Sequence, residues 1–297
     1  MRLKSQKILE IKLTASSKQD ILEYLRKYLS QRPKSFPKLL LKPLLIVTPN
    51  PEQIVFARQN PRFDCLLNQA DVALPDGVGI VWANRFLNQK TKIQRIPGIE
   101  FMQDLVKLAA EQGHQIGLIG GRGGLALEAL ECLQRKHPGL VGWAEDGPEL
   151  EFESEGPNQQ YNNITIKQCG KDNTEHYFLQ VAEKILRTST RLVFVGLGAP
   201  KQEFFCEKLA SSIQHLADSK TQTLNAKSYP LSAVSPLVLM SVGGSFDMLA
   251  GRIKRAPLFL RQIGLEWLWR LVRQPWRLHR QIALVKFIFF VLLERLR

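Results

Sequence analysis

The chain has 297 residues, of which 44% are hydrophobic and 23% charged, so it can bury a sizeable core and is no disordered protein. A formal net charge of +14, with a pI near 9.8, favours partners that carry phosphate: nucleic acid, an anionic membrane surface or a nucleotide. Cys65, Cys132, Cys169 and Cys206 stand singly, without zinc-ligand or disulfide-framework spacing, which points to a reducing, cytosolic compartment.

In chain order, Ile8 to Leu13 has the content of a first strand, and Lys18 to Leu29 sets Ile21, Leu22, Leu25, Tyr28 and Leu29 at helical spacing. The N-terminus is too charged to be a signal peptide. A basic linker with Pro33, Pro37 and Pro43 precedes the apolar run Leu44-Leu-Ile-Val47, the pattern of a strand buried on both faces. It ends in Thr48-Pro-Asn-Pro51, ahead of a helix from Glu52 to Gln59. Thr48 and Asn50 are either turn and cap residues or polar groups offered to a ligand.

The stretch Asp71-Val-Ala-Leu-Pro-Asp-Gly-Val-Gly79 repeats this plan and is predicted to carry the chemistry. Ala73 and Leu74 close a strand, Ile80 to Phe86 leaves as a helix, and Asp76 lies at the junction, where open α/β sheets bind ligands. Its plain alternative is a helix N-cap. Arg95-Ile-Pro-Gly98 opens an amphipathic helix from Ile99 to Glu111, so Arg95 either receives an anion there or is an ordinary solvated arginine.

Gln115 to Ile119, the loop Gly120-Gly-Arg-Gly-Gly124 and Leu125 to Lys136 read as strand, glycine-rich loop and helix. The spacing matches neither GxGxxG nor a Walker loop, and tight packing explains these glycines equally well. From Gly147 to Thr174 the periodicity fails and an exposed insertion is expected. A helix from Glu175 to Leu186 and a strand from Arg191 to Val195 lead into Gly196-Leu-Gly-Ala-Pro-Lys-Gln-Glu203. A second polar insertion, about Ser211 to Ser235, precedes the strand Leu237 to Val242 and the turn Gly243-Gly-Ser-Phe-Asp247. Repeated strand, turn and helix units predict an α/β fold: a doubly wound, mostly parallel sheet with its loops along one edge.

The tail holds most of the excess charge, with eleven basic residues from Arg252 to Arg297 against only Glu266 and Glu294. It also carries Trp267, Trp269 and Trp276 and the apolar stretch Ile282 to Leu293, too short to span a bilayer. This composition predicts a helical appendage, residues 252–297, that lies on a membrane surface beside a catalytic domain of residues 1–251. On a helix, Arg270, Arg273, Arg277 and Arg280 fall within an arc of about 80°, a row able to hold a pyrophosphate or simply a solvated face.

Taken in order, Thr48-Pro-Asn50, Leu74-Pro-Asp-Gly-Val-Gly79, Arg95-Ile-Pro-Gly98, Gly196 to Glu203, Gly243 to Asp247 and Gly264-Leu-Glu-Trp-Leu-Trp-Arg270 make the chain resemble the WecG/TagA/CpsF family of bacterial glycosyltransferases over roughly residues 44 to 280. Both insertions are longer than the family usually carries. The resemblance implies an inverting transferase that moves an N-acetylmannosamine-type sugar from a UDP donor to a polyprenyl-diphosphate-linked N-acetylglucosamine in cell-surface polysaccharide synthesis. It implies no cofactor, no obligatory metal, and a peripheral place on the cytoplasmic face of the cell membrane. Asp76 would be the general base, Thr48, Asn50, Arg95 and Gln202 donor-site residues, and Gly243, Gly244 and Asp247 neighbours of the nucleotide. Arg270, Arg277 and Arg280 would bind diphosphate.

Two other classes of protein share parts of this pattern. A basic nucleic-acid-binding α/β protein needs charge spread along a groove with exposed stacking aromatics, whereas here the charge gathers beside an apolar tail, so no nucleic-acid partner is expected. A Rossmann oxidoreductase lacks its glycine fingerprint paired with a ribose-binding acid. A homo-oligomer is compatible with this composition.

Overall fold

The computed structural model describes residues 2–31, 42–155, 160–167, 170–222, 236–262, 264–273 and 278–296. A hairpin of β1 (Ser5–Ile8) and β2 (Ile11–Thr14) opens the chain, followed by α1 (Lys18–Leu29). The main sheet is built from β3 (Leu44–Val47), β4 (Val72–Ala73), β5 (Ile116–Gly120), β6 (Gly142–Glu145), β9 (Leu192–Gly196) and β10 (Val238–Ser241). Its order is β4-β3-β10-β9-β5-β6 and every pairing is parallel. The expected doubly wound α/β sheet is therefore present.

Alternation along the strands divides the core into two layers. Leu45, Val47, Ala73, Ile119, Val193, Val195 and Leu239 face α2 (Pro51–Gln59), α3 (Pro61–Gln69), α4 (Val78–Phe86), α7 (Gly170–Arg187) and α8 (Lys201–Gln222). Leu44, Ile46, Val72, Leu118, Leu192, Phe194, Val238 and Met240 face α1, α5 (Gly98–Gln112), α6 (Leu125–Lys136) and the short α9 (Ser245–Leu249). The chain also says where α2 and α3 begin. Asn50-Pro51 and Asn60-Pro61 each place a capping side chain before a proline at the first helical position, and the asparagine oxygens accept from Gln53 N (3.0 Å) and Phe63 N (2.9 Å).

Three segments differ from expectation. The predicted strand Ile8 to Leu13 is a hairpin, because Leu9 and Glu10 take φ of 47° and 69° and reverse the chain without a glycine or asparagine to signal it. The stretch Gly147 to Thr174 holds a hairpin of β7 (Leu150–Glu155) and β8 (Gln160–Ile166). Its inner face, Leu150, Ile164 and Ile166, is buried, and Phe152 meets Phe204 edge-on at 5.7 Å, so this part is no exposed insertion. The second polar stretch begins later than predicted, since α8 continues to Gln222 with Ile213 buried; residues 223–235 lie outside the described ones. β6 is an addition: Trp143 lies over Gly117, where a Cβ would come within 2.5 Å of the indole, and its Nε1 donates to Thr190 Oγ1 at 2.8 Å.

The tail forms α10 (Leu258–Gln262), α11 (Glu266–Arg273) and α12 (Leu278–Arg295), the last of which packs on α2 and α4. Gly264, at φ +81°, brings its backbone against α4, where a side chain would come within 2.5 Å of Val78 Cγ1. From α12, Phe287 and Val291 enter the core beside α2 and α4, and Arg295 lies over the Phe86 ring at 4.4 Å. The opposite face exposes Ile282, Val285, Phe289, Leu292 and Leu293. Among the described residues, no helix is long and apolar enough to cross a membrane.

Candidate active site

Because all six strands run the same way, their carboxyl ends share one edge, and the turns that follow them enclose a cleft of about 650 Å³. Thr48, Asn50, Asp76, Arg95, Gln202, Gly243, Gly244 and Asp247 all line it. Thus the eight core residues selected from the sequence come together, although they span some two hundred positions of the chain. Glu266, Trp267 and Leu271 of α11, with Gln281 and Leu284 of α12, form one wall.

Asp76 is not the cap of α4. That position falls to Gly77, which makes no side-chain capping bond. The chain is held by Asp76 N donating to Pro49 O (3.0 Å) and Ile96 N donating to Pro75 O (2.9 Å), which knits the β3, β4 and Arg95 turns together. The Asp76 carboxylate is thereby turned to the start of α5, where Oδ2 accepts from Gly98 N at 3.4 Å, and a helix N-terminus favours negative charge. Thr48 sits on the same glycine: a Cβ on Gly98 would lie 3.0 Å from Thr48 Cγ2. Asn50 is the cap of α2, in a reciprocal box with Gln53, so its turn-and-cap reading holds even as it lines the cleft.

Arg95 is already engaged. Its guanidinium pairs with Glu266 of α11 at 2.9 Å and donates to Arg261 O at 3.2 Å. Glu266 also meets Arg255 (3.5 Å), and Arg255 reaches Glu100 of α5 at 2.7 Å. This partly buried ion lattice joins the tail to the cleft. Of the arginine row, Arg270 lies in α11 and Arg280 in α12. Arg277 lies outside the described residues. Arg273 stacks over Trp269 at 4.8 Å.

Two backbone N–H groups of the glycine-rich loop before α6 are already engaged within the protein. Asp146 already accepts from Gly124 N, at 3.1 and 3.0 Å to its two oxygens, and Gly121 N donates to Gly196 O at 3.2 Å. Packing accounts for Gly120 directly, since a Cβ there would lie 2.4 Å from Gly196 O.

Sequence reasoning missed Gln53, Glu203 and Glu266. Glu203 is fully buried below the cleft, and burial pushes its carboxyl up to about 7 against the pull of hydrogen bonds from Gln202 and Gln53. A carboxyl raised above its unfolded value makes folding easier while it is protonated, and that advantage is lost as pH rises from about 4.5 through 7. Glu203→Gln is therefore expected to match the parent in stability near pH 4.5 and to exceed it at pH 8, by about 3 kcal/mol at most. Denaturant titrations at the two pH values check this, and an unchanged difference between them would contradict it.

Among the described residues, no group of three or more His, Cys, Asp or Glu side chains is placed to hold a metal ion. The lining groups suited to phosphate are an arginine, backbone N–H groups and amide side chains. Activity is accordingly expected to survive chelation; loss in EDTA restored by a divalent cation would overturn this.

Fold and cleft together define an α/β protein with a cleft at the carboxyl edge of a parallel sheet. The chain belongs to the glycosyl transferase WecG/TagA/CpsF family, whose model matches residues 6–218 and 220–297. It is 32% identical over 251 residues to an N-acetylglucosaminyldiphosphoundecaprenol N-acetyl-beta-D-mannosaminyltransferase of Bacillus spizizenii, covering 84% of this chain and 79% of that protein. A protein of the same name from Bacillus subtilis is 30% identical over 252 residues, covering 84% of this chain and 79% of its own. Membership makes the protein a glycosyltransferase and leaves the nucleic-acid reading of its basic charge without support.

Proposed function

We propose that the protein transfers an N-acetylmannosamine-type sugar from UDP to N-acetylglucosamine carried on a polyprenyl diphosphate, with inversion, as a step in cell-surface polysaccharide synthesis. Residues 1–251 act as the catalytic domain and residues 252–297 as an appendage that meets the cytoplasmic membrane face. In a single displacement, the acceptor hydroxyl oxygen bonds to the anomeric carbon while the bond to UDP breaks. Asp76 takes the hydroxyl proton. Thr48, Asn50, Arg95 and Gln202 hold the donor, with Gly243, Gly244 and Asp247 beside the nucleotide. Arg95 offsets charge on the departing diphosphate. Arg270, Arg277 and Arg280 take the acceptor diphosphate.

The observation that carries this reading is the meeting of Asp76, Arg95, Gln202 and the Gly243 turn in one cleft walled by tail helices. An exposed apolar face on α12, within a strongly basic segment, supports docking on anionic lipid. The test is to incubate the intact protein with candidate UDP-sugars and a short-chain lipid-diphosphate acceptor and follow UDP release. Release that needs both substrates is expected; none with any UDP-sugar would sink the proposal.

A further inference from the structure

Directly below the cleft lies a carboxyl that the proposed chemistry does not use. Glu203 stands at the start of α8 with no exposed surface, and a single oxygen of it, Oε1, accepts from Gln53 Nε2 at 3.0 Å and from Gln202 Nε2 at 2.8 Å. The other end of each amide is committed as well. Gln53 Oε1 accepts from Asn50 N at 3.1 Å, and Gln202 Oε1 accepts from Gly243 N at 2.8 Å. One oxygen at the head of the helix after β9 thus ties the turn after β3 to the turn after β10.

The orientation of an amide is decided by its partners, because its two ends have almost the same shape and opposite hydrogen-bonding character. With an acceptor at Oε1 of Glu203, both NH2 groups point down and both oxygens point at backbone N–H groups. Without it, nothing opposes a flipped amide except the repulsion of NH2 against the N–H of Asn50 or Gly243, and the buried NH2 groups lose their acceptor.

We propose that Glu203 is a positioning residue for sugar transfer, fixing the amides of Gln202 and Gln53 and through them the spacing of the Asn50 and Gly243 turns. This rests on the function proposed above. Glu203 touches no substrate. It acts on groups that do, and displacements of an ångström or less at such groups are enough to cost large factors in rate.

Two variants of similar volume separate this from a structural role. Glu203→Gln keeps an oxygen for both amides, and kcat/KM within about threefold of the parent is expected. Glu203→Met keeps the volume and removes the acceptor; a fall in kcat/KM of about 30-fold or more is expected when assayed well below the melting transition, which the two buried NH2 groups left without an acceptor are expected to lower. The proposal is overturned if the Met variant turns over like the parent, or if both variants lose activity only in step with lost stability. Should the intact protein transfer no sugar at all, the functional reading fails, and Glu203 is then judged on UDP binding by calorimetry. About tenfold weaker UDP binding in the Met variant, and not in the Gln variant, would uphold the positioning role; unchanged affinity in the Met variant would overturn it.

Discussion

Asp76→Asn is expected to lower the turnover of sugar transfer by about 100-fold or more, the scale of a lost general base, while leaving UDP affinity and stability near those of the parent. The substitution suits the question because the asparagine oxygen can still accept from Gly98 N, so the junction between the β4 turn and α5 keeps its bond. What is lost is the ability to take a proton. The effect should therefore fall on kcat, with the KM for donor little changed. Steady-state UDP release and a calorimetric UDP titration measure the two parts. A variant as active as the parent would remove Asp76 from the chemistry.

The second large effect concerns the tail. Ending the chain before Leu258 should leave UDP binding in place, because the strand-end turns remain, and should nearly abolish transfer to a lipid-diphosphate acceptor. The truncation takes away Glu266, Trp267, Leu271, Gln281 and Leu284 from the cleft wall and the whole arginine row. It also uncovers the apolar surface that Phe287 and Val291 occupy beside α2 and α4, a loss of about 1.5–3 kcal/mol for each such side chain. Arg277→Ala with Arg280→Ala is the milder counterpart. That double variant should use acceptor poorly yet still sediment with anionic liposomes, held by Trp267 and the exposed face of α12. A truncated chain that transfers sugar as well as the intact one would reduce the tail to an anchor.

Much of this fold was legible in the chain because parallel strands covered on both faces must be apolar without interruption, as Leu44 to Val47 and Leu192 to Val195 are. That the turns after those strands meet was legible for the same reason, since parallel strands share a carboxyl edge, whereas Gln202, Gly243, Gly244 and Asp247 were singled out by the family resemblance. The hairpin at Leu150 to Ile166 escaped notice because its outer face is so polar that the alternation Leu150-Glu-Phe-Glu153 was outweighed by its neighbours. Glu203 and Glu266 could not have been chosen from local sequence. Their roles come from partners 150 residues away at Gln53 and 171 residues away at Arg95, and only the folded chain brings such groups within hydrogen-bonding distance.

The strand order carries a consequence for how the protein is made. β10 lies between β3 and β9, with Leu239 opposite Leu45 on one side and Val193 on the other, and it is the last sheet strand to be synthesised. Without it, β4 and β3 have no strand linking them to β9, β5 and β6, and any half-sheet formed before it leaves the ribosome would present an unpaired apolar edge. Closure then depends on a late pairing that joins segments about two-thirds of the chain apart, the kind of long-range contact that folds slowly and aggregates when delayed. Fragments that stop short of Val238 should fail to assemble the cleft whatever residues they contain, since the strand that brings its two halves together is missing.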